Sequence, residues 1–309
     1  MKKVNIIYSS VNRSNHIIRY GEYFKVEVMK RPDVHIHLVE EEDHIDNILK
    51  KAKFDPHFIF FDDFTMNYTM HGLEHVQIPK GVLYWDIHRN QVELRNFVRK
   101  NHVDLVFSFY RDTFTDWFPD LAAKFRWLPN FVNIEVFKDY GLKKEIDYLL
   151  MGALSEKVYP LRTKIAAEMA DVEGFVHHRH PGYRDFLPEE GQLVGESFAR
   201  EINKAKMFFT DDSIFKYPIA KYFEVPACNT LLLASGSREL TDLGFVDGVT
   251  FVEVNHTNYL QKAKYYLKDE DARLTIAQRG YEMVRKKHST AARTHQFVND
   301  LRTFLARNA

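Results

Sequence analysis

Asp86 and His88 stand just after the apolar run Gly81–Trp85. Either can take a proton from a hydroxyl, the carboxylate directly and the imidazole because its pKa lies near neutrality. Asp86 is equally well placed to cap the helix that follows. Two cations, Arg162 and Lys221, each sit early in a helical segment, where on position alone they read as solvated helix residues, and Ser155 lies in a loop after the run Leu149–Gly152, where it could donate a hydrogen bond. Glu224 follows Tyr217 and Lys221 in FKYPIAKYFEVPACNTLLLA (215–234). A carboxylate can accept two hydrogen bonds from a vicinal diol, or it can serve only as a charge favoured near a helix N-terminus.

Metal chemistry finds little support. His177, His178 and His180 fall within four residues, a spacing that rarely gives tetrahedral geometry without a distant fourth ligand, so a plain loop is expected there. Asp62 and Asp63 are adjacent, and on a strand their side chains diverge. Asp269-Glu270-Asp271 lies between helical segments and reads as a cap. No metal is expected. Cys228 is the sole cysteine, which rules out an intramolecular disulfide and a cysteine-based zinc cage. The turn Ser9–Asn15 holds no glycine, and no Gly-x-Gly-x-x-Gly is present, which argues against a dinucleotide cofactor.

The elements that must position these residues alternate. Strands are predicted at Val4–Tyr8, Val34–Val39, Phe58–Phe61, Gly81–Trp85 and Leu105–Phe109, with helices over about His16–Lys30, Ile45–Lys53 and Gln91–Asn101. The pattern restarts with strands at Leu149–Gly152, Gly174–His177, Met207–Phe209, Thr230–Ala234 and Thr250–Glu253. Helices fall at Tyr159–Met169, Glu196–Lys204, Ala220–Val225, Tyr259–Leu267, Asp271–Lys287 and about Thr290–Leu305. Near-continuous apolar strands separated by helices predict parallel sheets covered on both faces. Ligands then gather at the carboxyl ends of the strands, where Ser9, Asp62, Asp86 and Arg111 fall. Arg111 either faces a ligand or pairs with Asp112.

The 309 residues suffice for two domains. Basic and acidic residues number 43 each, divided almost evenly about residue 140. Neither half is the cationic block that binding to nucleic acid through its backbone requires, although a local basic groove stays open. MKKVNIIYSS, with only three consecutive apolar residues, reads as a strand rather than a secretion signal. No run approaches the roughly 18 apolar residues of a membrane span, so a cytoplasmic protein is expected.

The segments YLLMGALSEKVYPLR (148–162), 215–234 and 244–293 resemble the GT-B glycosyltransferases, and within them the spore-maturation CgeB-like family. IPKGVLYWDIH (78–88) and FRWLPNFVNIEVF (125–137) extend the resemblance over most of the chain. It implies an α/β GT-B fold of two Rossmann-like domains with parallel sheets facing a cleft. Residues 1–138 would bind the acceptor, 139–288 the nucleotide sugar, and 289–309 would form a helix returning to the N-terminal domain. It also implies a metal-independent hexosyltransferase that takes UDP-glucose or a similar donor and needs no cofactor. The acceptor would be a glycan, protein or small molecule.

On that resemblance Arg162 and Lys221 carry the diphosphate charge, Ser155 and Tyr217 line the donor, and Glu224 binds the ribose as an exposed carboxylate. His180, in the loop after the second strand of its domain, contacts the base. Ser9, Arg13 and Arg111 line the acceptor side, and Asp86 or His88 is the base. Many retaining members carry two glutamates eight positions apart; here Lys216 stands in place of the first, and Asn229 replaces the glycine of the following turn. Two alternatives stay open: a glucosyltransferase acting on modified DNA bases, and a non-catalytic sugar- or nucleotide-binding protein of the spore or of an assembly.

Overall fold

The computed structural model describes residues 3–64, 70–187 and 190–308. The chain divides into two compact units. Unit 1 comprises Met1–Ser14, Ile18–Pro129 and Arg293–Ala309, and unit 2 comprises Asn15–Ile17 and Asn130–Ala292.

In unit 1 the chain runs β1 (Val4–Ser9), α1 (Tyr20–Met29), β2 (Val34–Val39), β3 (Asp43–His44), α2 (Ile45–Lys51), β4 (Phe58–Phe61), β5 (Met70–His71), β6 (Lys80–Tyr84), α3 (Gln91–Lys100), β7 (Leu105–Ser108), α4 (Arg111–Trp117) and β8 (Phe125–Trp127). β3 and β5 form a small pair; the other six form one sheet ordered β2-β1-β4-β6-β7-β8. Every pairing in it is parallel. Strands covered on both faces must be apolar along their whole length, and β4, FIFF, is buried at all four positions. The sheet order reverses between β1 and β4, the kind of point where a crevice opens at the carboxyl ends of the strands.

Unit 2 continues with β9 (Ile146–Gly152), α5 (Pro160–Glu168), β10 (Phe175–Arg179), α6 (Glu196–Asn203), β11 (Ala205–Thr210), α7 (Lys221–Ala227), β12 (Leu231–Ala234), α8 (Arg238–Asp242), β13 (Val252–Glu253), α9 (Tyr259–Lys268), α10 (Glu270–Lys287) and α11 (Thr290–Arg307). Its five strands are parallel in the order β10-β9-β11-β12-β13, with the reversal between β9 and β11. Asp269 caps α10, its carboxylate accepting the Ala272 N–H.

From Arg293 onward α11 belongs to unit 1. There Phe297 meets Phe24, Phe60 and Phe107 with ring centroids 4.6–5.4 Å apart. Buried aromatic pairs of this kind contribute about 0.5–1.5 kcal/mol each beyond their area. Gln296 Nε2 donates to the Trp127 carbonyl, and Arg302 pairs with Asp33.

Three expectations from sequence are corrected. α1 begins at Tyr20 rather than His16, because Asn15–Ile17 is drawn into backbone bonds with Arg184 and Phe186. β10 runs two residues past His177, so His178 and Arg179 are strand rather than loop. The stretch after Tyr110 adds α4 and β8 to the first sheet. Both are short, and RDTFTDW lacks an apolar helical stripe, so periodicity had little to detect.

Candidate active site

The reversal in unit 2 brings together residues far apart in sequence. β9 ends at Gly152, with φ +147°, and a Cβ there would lie 2.7 Å from Arg162 Nη1 and 3.3 Å from Lys221 Cε. Only glycine lets both cations approach this strand end.

Arg162, in the first turn of α5, is 2% exposed. Its Nη2 lies 3.0 Å from Asp211 Oδ1 and donates to Thr210 Oγ1 at 3.1 Å; Nη1 donates to the Ala153 carbonyl. The guanidinium stands 4.1 Å from the Tyr159 ring centroid. Asp211 also accepts the Arg162 backbone N–H at 3.1 Å, so one carboxylate ties the start of α5 to the end of β11. Burial pushes the Asp211 carboxyl up, against the pull of Arg162. Arg162 is thus neutralised and fixed.

Lys221 opens α7 half-buried. Its Nζ is 5.6 Å from the Phe198 ring, and it takes part in none of the ion pairs among the described residues. Burial holds its ammonium below the ordinary lysine value; Glu224 opposes that shift and Arg162 adds to it. Glu224 lies three residues on, hence on the same side of the helix. It is 5% exposed, which corrects the expectation of an exposed carboxylate: α7 is buried along most of its length.

His180 joins this group. Burial first, then Lys221 and Arg162, push its imidazole down to about 4, so it is neutral at pH 7. Nδ1 accepts the Gly182 N–H at 3.0 Å, which leaves the ring proton on Nε2 as a donor. Its ring lies 4.6 Å from that of Tyr183. Ser155 is half-buried in the turn leading to α5, its carbonyl accepting the Val158 and Tyr159 N–H groups. Tyr217 is buried, stacked on Phe215 at 5.2 Å, with its N–H donating to the Asp212 carbonyl.

Asp211 and Asp212 were not singled out from sequence. Asp212 Oδ1 accepts from Ser235 Oγ at 2.7 Å, and burial raises its carboxyl to about 6. Their position directly after β11 is the signal that would have found them. Lys216 has φ +59° and lies 3.7 Å from Asp212 Oδ1. Asn229, with φ +51°, adopts the left-handed conformation that glycine usually supplies and asparagine tolerates.

Within unit 1, Asp86 is exposed and His88 half-buried. The cap of α3 is Asn90 rather than Asp86. His88 Nε2 lies 3.4 Å from Arg89 Nε, and burial pushes its imidazole down. Ser9 is buried, its carbonyl accepting the Asp62 N–H. Arg13 pairs with Asp63 at 2.5 Å. Arg111 pairs with Asp112 at 2.7 Å and lies over Trp127.

Residues 148–299, which contain the whole unit 2 cluster, match the model of a family described as glycosyl transferase-like. No curated protein matches the sequence. Solved structures match along nearly the full length. Sucrose-phosphate synthase from Thermosynechococcus elongatus superposes with a TM-score of 0.72 at 15% identity, covering 99% of this chain and 100% of that one. Alr3699/HepE from Anabaena, in complex with UDP-glucose, gives 0.64 at 12% identity, covering 97% and 99%. The chain has the GT-B fold. An alpha-glucosyltransferase in complex with UDP and a 13-mer DNA containing an HMU base also shares it, with a TM-score of 0.63 at 11% identity over 97% and 100% of the two chains. Among the described residues of this GT-B chain, no group of three or more His, Cys, Asp or Glu is placed to hold a metal ion, and no helix is long and apolar enough to cross a membrane.

Proposed function

We propose that this protein is a glycosyltransferase that moves a sugar from a UDP-linked donor to an acceptor hydroxyl, with the donor held by unit 2 and the acceptor by unit 1. The observation that carries the reading is Lys221. It is a half-buried ammonium beside Gly152, Arg162 and Glu224 at the strand ends of the reversal, without an ion partner among the described residues. Burying part of a cation is costly unless a charge answers it. A diphosphate supplies that charge.

The chemistry follows from the chain's own groups. As the bond from C1 to the diphosphate oxygen breaks, negative charge grows on the leaving UDP. In this reading Lys221 Nζ and the neutral His180 Nε2–H stabilise it, electrostatic help that acts most strongly where water is excluded. Arg162, already balanced by Asp211, ties the start of α5 to the end of β11. Glu224 accepts from the two ribose hydroxyls with charge-assisted bonds. With lysine and imidazole as the charge-stabilising groups, no divalent metal is required. We assign the protein to the CgeB-like members and to the cytoplasm; the single cysteine, Cys228, is buried and unpaired, as suits a reducing compartment.

Calorimetry with UDP, UDP-glucose and the other nucleoside diphosphates tests the reading. UDP binding supports it, and no binding of any of them overturns it. The likeness to the DNA-bound alpha-glucosyltransferase favours a second reading in which the acceptor hydroxyl is on a modified base. A gel shift with hydroxymethylated DNA decides between that and a glycan, protein or small-molecule acceptor.

A further inference from the structure

The order of the first sheet reverses between β1 and β4, and a second group of polar side chains gathers at the ends of those two strands. Ser10 follows β1, and its Oγ donates to Asp62 Oδ2 at 2.6 Å. Asp62 follows β4 and is 5% exposed. Its backbone N–H donates to the Ser9 carbonyl, and its carbonyl accepts Trp85 Nε1–H at 2.6 Å from the end of β6. Side chains at matched positions of paired strands share a face, and the register Tyr8↔Phe60 puts Tyr8 on the same face as Ser10 and Asp62. Tyr8 is fully buried, and its hydroxyl has no hydrogen-bond partner among the described residues.

Counting charges singles out Asp62. Arg13 is paired with Asp63 at 2.5 Å, and its guanidinium lies 5.2 Å from the Trp85 ring centroid. Lys25 of α1 is paired with Glu22 and Glu40 at 2.9 and 2.7 Å. Asp62 forms none of the ion pairs among the described residues, and its Oδ1 accepts no hydrogen bond from them. A buried carboxyl held by one hydroxyl, with no cation at contact distance, costs stability unless it has another use.

The two residues first read as the base are less suited. Asp86 is exposed to water, and His88 Nε2 already faces Arg89 Nε.

We propose that Asp62 is the general base of the transfer, with Oδ1 taking the proton of the acceptor hydroxyl while Ser10 holds Oδ2 and orients the carboxylate. The inference rests on the glycosyltransferase reading. In the step, the acceptor oxygen forms a bond to C1 of the donor sugar and the bond from C1 to the diphosphate oxygen breaks. UDP leaves with the electron pair, and the proton moves from the acceptor oxygen to Asp62. Ser10 is a positioning residue.

The groups facing Asp62 set its titration. Desolvation raises its carboxyl to about 7; the Ser10 hydroxyl lowers it, Asp63 raises it, and Arg13 and Lys25 lower it. Asp62 and Glu22 in turn push Tyr8 up, beyond what its burial does. A base works only when ionised, so turnover should fall tenfold per pH unit below about 7.

The experiment uses the full-length chain and the UDP-hexose it binds best by calorimetry, with release of UDP as the readout and water as the acceptor. Asp62→Asn keeps the shape and should keep UDP affinity within about twofold, which also shows that it folds. Its turnover should fall by 10²- to 10⁴-fold, the usual contribution of a general base, and the acid limb of the pH profile should disappear. Ser10→Ala should retain turnover at high pH and move the limb upward, a shift that a merely structural role does not produce. Asp86→Asn reads the rival assignment: a loss of turnover as large as that of Asp62→Asn, with UDP affinity kept and the acid limb removed, overturns the proposal. The proposal is overturned if Asp62→Asn binds UDP and turns over within a few fold of the parent, if its profile keeps the acid limb, or if the parent binds donors and hydrolyses none. Absence of UDP binding by the parent is a different result: it removes the glycosyltransferase reading and this assignment with it.

Discussion

Replacing Lys221 by methionine removes one charge from the strand-end cluster and keeps its length and most of its packing. The loss in UDP affinity has two parts. A hydrogen bond to a charged group contributes about 1.5–3 kcal/mol. A unit charge about 4 Å from a phosphate oxygen contributes about 4 kcal/mol at an effective dielectric of 20, less whatever desolvation costs. Here that cost is largely met before the ligand arrives, since burial already holds the ammonium below its ordinary value. A net loss of about 2–4 kcal/mol follows, or roughly 30- to 900-fold weaker UDP binding. Uridine, which has no phosphate, should bind Lys221→Met within a few fold of the parent. The free variant should also be more stable. A lysine whose folded pKa is depressed penalises the fold wherever it is charged, so the penalty is present at neutral pH and fades as pH rises through the folded value. Calorimetry with UDP, UMP and uridine, alongside thermal melts without ligand, reads all three effects. Unchanged UDP affinity, or a parallel loss of uridine, would falsify the phosphate role.

Glu224→Gln should weaken UDP binding by about 10- to 150-fold, from about 1.5–3 kcal/mol for a bond to a charged group, and should abolish any preference for UDP over 2′-deoxy-UDP; equal UDP affinity in parent and variant removes the ribose assignment. Asp211→Asn leaves Arg162 charged and unanswered in a site where both side chains are 3% exposed, so it should cost about 3–5 kcal/mol and lower the melting temperature by on the order of 10 °C; a change below 2 °C would show that Arg162 finds another partner. Turnover should survive excess EDTA and gain little from Mn²⁺ or Mg²⁺, and a strict requirement for either ion would contradict a site that relies on lysine and imidazole.

The sequence alone determined the main strands of both sheets and their parallel α/β class, though not the short β3, β5 and β8. FIFF and LLLA are apolar at every position, which only a strand covered on both faces tolerates, and their alternation with helices left few topologies. Strand ends could therefore be located within a residue or two, and with them Gly152, Lys221, Glu224 and the Asp62-Asp63 pair. What the sequence could not decide is which charges answer one another. Arg162 and Asp211 are 49 residues apart, and only the parallel pairing of β9 with β11 sets them 3.0 Å apart; that contact gives Arg162 an ion partner, while Lys221 forms none of the ion pairs among the described residues. Asp62 shows the same limit. Its neighbour Asp63 finds Arg13 across 50 residues, while the Asp62 carboxylate, among the described residues, accepts a hydrogen bond only from Ser10. Two identical side chains, adjacent in sequence and just past the end of β4, thus acquire different partners, because the fold brings Arg13 to contact distance of Asp63 and the Ser10 hydroxyl to Asp62.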